Sequence, residues 1–69
     1  MKISPDSLQR LHHDLYHALN KFRLSPDAIV TMTDAWDVFH MAKGTWLYAE
    51  GLNDKHIETA LRRIFPSIR

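Results

Sequence analysis

The stretch Ile3-Ser4-Pro5-Asp6-Ser7-Leu8 carries every element of a helix start. Its first serine can cap the helix, its proline suits the first helical position, and its aspartate lies near the positive end of the helix dipole. The isoleucine before the cap and the leucine four positions into the helix are spaced to pack together as a hydrophobic staple. The stretch therefore predicts that a helix begins at about Pro5.

The same signal recurs twice further along the chain. Leu24-Ser25-Pro26-Asp27-Ala28-Ile29 repeats the Ser-Pro-Asp cap with its staple, and Leu52-Asn53-Asp54-Lys55-His56-Ile57 is a version without proline. Three capped starts predict three helices, and no stretch alternates in the manner of a strand. We therefore predict an all-α fold, a compact three-helix domain that spans residues 1–69.

The first and third predicted helices each show one apolar face. The first runs from about Pro5 to Phe22 and the third from about Asp54 to Phe65, because Pro66 disfavours helical geometry at the residue before it. Apolar residues recur in both at the i, i+3, i+4, i+7 spacing of a buried face. We expect these residues in the core: Leu8, Leu11, Leu15, Leu19 and Phe22 from the first helix, and Ile57, Ala60, Leu61, Ile64 and Phe65 from the third.

The middle segment, residues 26–50, allows two interpretations. It is one long helix closed by Gly51, or two helices divided near Gly44-Thr45. A glycine inside a helix costs about 1 kcal/mol relative to alanine, which a buried helix tolerates. Because no further proline or cluster of turn residues interrupts the segment, we favour a continuous central helix, with Gly44 as the point of any bend or break.

The chain is short for a self-sufficient fold. A domain of 69 residues buries roughly 60% of the surface of its unfolded chain, and many domains of this size add a disulfide, a metal ion or a second copy. The chain has no cysteine, which excludes disulfides and thiolate metal sites. We therefore expect a second copy or another protein partner to contribute to stability.

A continuous central helix would be apolar on more than one side, because a second apolar stripe lies among Asp34 and Asp37. Helices that are apolar nearly all round are normally buried. We therefore predict an interface, for a homodimer or for a partner's helix, formed by Val30, Asp34, Asp37, Val38, Met41 and Tyr48. Its acidic rim favours a basic amphipathic partner. The alternative interpretation is that its apolar members are ordinary scattered surface residues.

No pattern of catalytic or cofactor-binding residues is present. His13 and His17 have the i, i+4 spacing of two zinc ligands, but neither a neighbouring glutamate base nor a second ligand pair accompanies them. We predict a solvated face for both, and a hydrogen-bonded core position for His40. Without cysteine or a glycine-rich phosphate loop, the main catalytic templates are missing. We therefore predict that the chain has no enzymatic activity and binds no cofactor or metal. We also predict that three aromatic residues, Trp36, Phe39 and Trp46, lie in the core.

The turn around Gly51 supports a different function. The stretch Ala49-Glu50-Gly51-Leu52-Asn53 is followed by Ile57, six residues after the glycine, and Trp46 and Ala60 stand at further apolar positions. This pattern resembles the helix-turn-helix motif of bacterial regulators. The resemblance implies that the third helix enters the major groove of DNA. Its outward residues are then the candidate nucleic-acid contacts: Asn53, Lys55, Thr59, Arg62 and Arg63.

The sequence departs from that motif at two positions. Leu47 stands where a small residue lets the two helices approach, and Glu50 stands where an apolar residue precedes the glycine. Asp54 and Glu58 also place negative charge on the face that would approach the phosphates. DNA binding by the third helix is therefore the alternative to protein binding.

The net charge of +1 is distributed unevenly, because a mildly acidic segment, residues 25–51, lies between two mildly basic ends. The N-terminal residues turn polar at once, unlike a signal peptide, and no apolar run approaches the ~20 residues of a membrane span. We therefore expect a cytoplasmic location. Our leading hypothesis is a small non-enzymatic regulatory or interaction protein, of a bacterial or phage accessory type, that acts as a homodimer through helix-mediated protein binding. The alternative hypothesis is a helix-turn-helix-like transcriptional regulator.

Overall fold

Helices account for most of residues 3–69, which are the residues that the structure, a computed structural model, describes. Met1 and Lys2, on which the expectation about a signal peptide partly rests, lie outside the described residues. The helices are α1 (Pro5–Lys21), α2 (Met32–Met41), α3 (Trp46–Ala49) and α4 (Asp54–Ile64), with a 3-10 helix, Pro26–Ala28, between α1 and α2. Residues 3–69 contain no strand, and the all-α prediction is confirmed. No helix in this range has the length and apolar character needed to cross a membrane.

The two helices with the clearest start signals begin where the sequence predicts. The Ser4 side chain accepts a hydrogen bond from the Ser7 N–H at 3.2 Å, as the N-cap of α1. At the start of α4, the Asn53 side chain accepts from the His56 N–H at 3.0 Å, and the Asn53 N–H donates to the His56 ring at 3.3 Å. This reciprocal capping box satisfies N–H groups that the first turn of a helix leaves without partners.

Both of these helices end one residue earlier than predicted, α1 at Lys21 and α4 at Ile64. After α1 the chain reverses, since Arg23 adopts a left-handed backbone conformation with a φ of 56°. The reversal carries Phe22 out of the core, and 49% of its surface is exposed. The prediction that Phe22 belongs to the core is therefore wrong.

The middle segment is not a continuous helix, contrary to the favoured prediction. Ser25 caps only the 3-10 helix, and Ile29 then leaves the helical path and is buried in the core. A second cap starts α2, because the Thr31 side chain accepts a hydrogen bond from the Asp34 N–H at 3.1 Å. The Ser-Pro-Asp signal thus starts a turn, but the burial of Ile29 and the cap at Thr31 prevent that turn from growing into α2.

A second interruption falls at residues 42–45, where the alternative interpretation divides the segment near Gly44-Thr45. Lys43 has a left-handed backbone with a φ of 57°, and the Gly44 N–H donates to the Phe39 carbonyl oxygen at 3.1 Å. A Cβ atom on Gly44 would lie 2.5 Å from Cε1 of the Phe39 ring. The connection can therefore pass this close to the ring only because residue 44 has no side chain.

The core lies where α2 packs against both α1 and α4. Burial of these apolar side chains is the main favourable term in the stability of the fold. The fully or almost fully buried residues come from all four helices and from their connections: Leu11, Leu15, Ala18, Leu19, Ile29, Ala35, Val38, Phe39, Leu47, Leu52, Ile57, Ala60, Leu61, Ile64 and Phe65.

The contact between Gly44 and Phe39 generates a testable prediction. Replacing Gly44 with alanine forces the buried Phe39 ring to move, and overpacking of this kind costs about 1–3 kcal/mol. We expect the Gly44→Ala protein to unfold at a lower denaturant concentration than the wild type. The matched control is Thr45→Ala, at the neighbouring exposed position, which should leave the midpoint almost unchanged. Equal midpoints for Gly44→Ala and the wild type would contradict the close approach of residue 44 to the Phe39 ring.

Candidate protein-binding groove

An open groove of about 680 Å³ runs between α2 and the connection that precedes it. Two side chains on its edges are unusually exposed for apolar residues, with 40% of Leu24 and 38% of Met41 accessible to solvent. Its floor is formed by Ile29, which is buried in the core. The complete lining, which we call the α2 groove, consists of Leu24, Ala28, Ile29, Asp34, Asp37, Val38, His40 and Met41.

The α2 groove has an acidic edge. Asp34 and Asp37 are three residues apart on α2, so they share one face of the helix, and Met41 lies on the same face one turn further on. The ion pairs found within residues 3–69 both involve Asp14, so the Asp34 and Asp37 carboxylates have no cationic partner there. An apolar cleft beside uncompensated carboxylates is suited to a ligand that is both apolar and basic.

Three of the six predicted interface residues line this groove and are accessible to solvent: Asp34, Asp37 and Met41. Val38 lines the groove too, but only 1% of it is exposed, so it belongs to the core and not to an external stripe. The prediction of Val38 as a surface residue is wrong, because α2 packs against both α1 and α4 and Val38 is buried in the core that these helices share.

The remaining two predicted interface residues lie elsewhere. Val30 is half-buried in the connection before α2, where its carbonyl oxygen accepts a hydrogen bond from the Arg69 N–H at 3.1 Å. Tyr48 is exposed on α3, and its hydroxyl donates to the Asp54 carboxylate of α4. Leu24 is a groove residue that the sequence does not predict, because its spacing to Ile29 indicates a staple. Its position in a connection between two helices is the only signal that could have indicated exposure.

A second pocket, of about 360 Å³, lies on the other side of Met41. Its lining is rich in cationic side chains, and we call it the basic pocket: Arg10, Asp14, His17, Ala18, Lys21, Phe22, Met41, Ala42, Lys43 and Trp46. The Arg10 guanidinium lies 4.0 Å from the centre of the Trp46 ring, and the Trp46 indole N–H donates to Asp14 at 3.3 Å. Met41 lines both cavities and therefore separates an acidic surface from a basic one.

The candidate DNA contacts are all exposed on or beside α4: Asn53, Lys55, Thr59, Arg62 and Arg63. Two of them have local structural roles, because Asn53 caps α4 and the Thr59 hydroxyl donates to the Lys55 carbonyl oxygen at 3.1 Å. Gly51 has a φ of 86°, a left-handed conformation that suits the turn of the helix-turn-helix resemblance. The helix before this turn, α3, is only four residues long.

The histidines form no metal site within residues 3–69, where no three potential ligands come together. His13 and His17 are exposed, with their ring centres 6.3 Å apart. His40 is exposed too, which corrects its predicted core position, although its Nδ1 does lie 2.8 Å from the Trp36 carbonyl oxygen.

The predicted core position is confirmed for Phe39, whereas Trp36 and Trp46 are half-buried at the edge of the core.

The hydrogen bond between Tyr48 and Asp54 raises the pKa of the Tyr48 hydroxyl above its usual 10.0, and desolvation and the Asp54 charge add to the effect. The bond is made by the protonated phenol. It therefore contributes to stability below the ordinary pKa of tyrosine, and this contribution is lost as the pH rises through the raised pKa.

Removing the acceptor with Asp54→Ala should lower the pKa of Tyr48 towards 10.0. The measurement is an ultraviolet titration of tyrosinate in a Tyr16→Phe background, so that Tyr48 is the only tyrosine. Asp27→Ala removes an exposed carboxylate elsewhere and serves as the control. If Tyr48 has the same pKa in the Asp54→Ala and Asp27→Ala proteins, the hydrogen bond to Asp54 does not raise the pKa of Tyr48.

Comparisons with other proteins do not assign this chain to a family. No protein-family model matches the chain, and no curated protein or solved structure gives a significant match. The features that bear on function are therefore those of the chain itself: the α2 groove, the basic pocket beside it and the exposed face of α4.

Proposed function

We propose that this chain is a small non-enzymatic interaction protein that binds a helical segment of a protein in the α2 groove. The segment presents apolar side chains flanked by basic ones. A single observation carries the proposal: exposed Leu24 and Met41 border the groove beside two carboxylates, Asp34 and Asp37, that have no cationic partner within residues 3–69. Amphipathic helices commonly bind protein partners by laying their apolar face into such a groove.

The apolar side chains account for the affinity of this interaction. Full burial of a leucine or methionine side chain contributes roughly 1.5–3 kcal/mol. Since Leu24 and Met41 are already about three-fifths buried in the free chain, each has about 1 kcal/mol left to gain. The carboxylates of Asp34 and Asp37 act mainly on orientation, association rate and partner choice, because opposite charges at the edge of an interface add little affinity whereas like charges placed opposite each other weaken binding.

Several hydroxyl groups of the chain are engaged in hydrogen bonds that hold the helices in place. Ser4, Ser25 and Thr31 accept backbone hydrogen bonds as helix caps. The Ser7 hydroxyl donates to the Glu50 carboxylate and joins α1 to the residue that follows α3.

The proposal is tested with two synthetic amphipathic peptides of equal length, one built from leucine and lysine and the other from leucine and glutamate. We expect the lysine peptide to shift the amide NMR signals of Leu24, Asp34, Asp37 and Met41, because it matches the apolar groove and its acidic edge. The glutamate peptide should bind at least tenfold more weakly, since like charges oppose it.

Met41→Asp should abolish the response to the lysine peptide, because it places a charge in the apolar part of the groove. Thr59→Asp adds the same charge at an exposed position of α4 and is the matched control. Equal binding of both peptides, or lysine-peptide shifts that avoid the groove, would exclude this function.

A second candidate function, DNA binding, is favoured by the turn before α4. Gly51 has the left-handed conformation of a helix-turn-helix turn, and Lys55, Arg62 and Arg63 are exposed on the helix that follows. Lys55 and Arg62 are seven residues apart and therefore share one face of α4. Such a face could contact phosphates and base edges in the major groove.

If α4 binds DNA, the double variant Arg62→Ala with Arg63→Ala weakens binding to duplex DNA. It also makes the dependence of log K on log salt shallower by about one unit for each phosphate that the protein no longer neutralises. Filter binding over a range of salt concentrations measures both effects, and Lys21→Ala, an exposed cation of α1, is the control. Absence of duplex binding by the wild type at low salt would eliminate this function.

A further inference from the structure

We propose that the segment bound in the α2 groove belongs to a second copy of this chain, so that two copies form an antiparallel dimer with its two-fold axis near Met41. The inference rests on the proposed function and names its partner. It follows from the order of charges along α2 and from the apolar side chains between them.

The charges change sign along the axis of α2. The carboxylates of Asp34 and Asp37 lie towards its N-terminus, Met41 is its last residue, and Lys43 follows two residues after it. At a rise of 1.5 Å per residue, Asp34 and Met41 are about 10 Å apart along the helix. Lys21, at the end of α1, joins Lys43 in the basic pocket. The surface is therefore acidic on one side of Met41 and basic on the other.

The boundary between these two sides is apolar and exposed. Phe22 lies in the basic pocket and Leu24 in the α2 groove, while Met41 belongs to both cavities. These three are among the most exposed large apolar residues within residues 3–69. The apolar residues near the centre of a protein interface commonly supply most of its binding energy.

A two-fold axis requires a surface that is complementary to itself, because each patch meets the same patch of the other subunit. When two α2 helices lie antiparallel across Met41, the carboxylates of Asp34 and Asp37 face the partner's Lys43 and the partner's Lys21. The reverse set of pairs forms on the other side of the axis. A parallel arrangement would instead place carboxylates opposite carboxylates, so the charge order selects the antiparallel one.

The partner fits the chemistry that the groove requires. A second copy presents the apolar side chains of Phe22 and Met41 together with the ammonium groups of Lys21 and Lys43. This is the combination of apolar and basic groups for which the α2 groove is suited. No other molecule is needed to supply it, and burial of the three exposed apolar residues adds to the stability of a small chain.

The test is a charge-reversal experiment followed by sedimentation equilibrium over a range of concentrations. We expect the wild type to dimerise. Asp34→Lys with Asp37→Lys should be monomeric, because lysines then face lysines, and Lys21→Asp with Lys43→Asp should be monomeric for the opposite reason. An equimolar mixture of these two variants should recover the dimer, since both sets of pairs are then of opposite charge.

Two controls make the result specific. Lys55→Asp with Arg62→Asp reverses two charges on the exposed face of α4 and should leave the dimer intact. Circular dichroism of every variant establishes that it remains helical. Recovery in the mixture also separates loss of association from loss of folding, because an unfolded variant would not form the mixed dimer.

A wild type that stays monomeric at all concentrations overturns the second-copy proposal. Binding of the leucine–lysine peptide in the groove would then still support the proposed function with a different partner. A dimer that persists in Met41→Asp and in both charge-reversed variants overturns the interface described here. If the wild type is monomeric and also does not bind the leucine–lysine peptide, both the proposed function and this inference are excluded.

Discussion

The close packing of the Phe39 ring over Gly44 is the contact on which the arrangement of the helices depends. Phe39 is fully buried, and the connection after α2 passes near its ring because Gly44 has no Cβ atom. The chain can therefore leave α2 and turn into α3, which buries Leu47 in the same core. A helix that continued through residue 44 could not bring α4 back against α2 in this way.

The interruption before α2 has the corresponding role on the other side of the molecule. Ile29 lies between two helix caps, Ser25 and Thr31, and its side chain is buried in the core. The connection between α1 and α2 therefore does not continue as part of α2. The α2 groove is the space left between this connection and the helix, with Leu24 on one edge and Met41 on the other. The binding surface is thus a consequence of the same long-range packing that shortens the helix.

The sequence predicts those parts of this structure that local interactions determine. The starts of α1 and α4 depend on side chains within four residues of Ser4 and Asn53, and both are correctly placed. The start of α2 also has a local cap, Thr31, but Ser25 offers a competing start six residues earlier. The choice between them depends on the burial of Ile29 by residues far away in the chain, which no local pattern records. In the same way, the spacing of Asp34, Asp37 and Met41 correctly places them on one face of a helix. The exposure of Leu24 and the burial of Val38 depend on tertiary packing, which the spacing of residues along the chain does not contain.

Trp46 gives the molecule a built-in optical probe. Its indole ring is half-buried, lies under the Arg10 guanidinium at 4.0 Å and lines the cavity that also contains Met41 and Lys43. The emission of an indole responds to nearby charge and to hydration, and a molecule that covers this cavity changes both. The other tryptophan, Trp36, packs against Phe39 at the edge of the core and does not line either cavity. Intrinsic fluorescence can therefore follow events at the boundary between the acidic and basic surfaces without any attached dye.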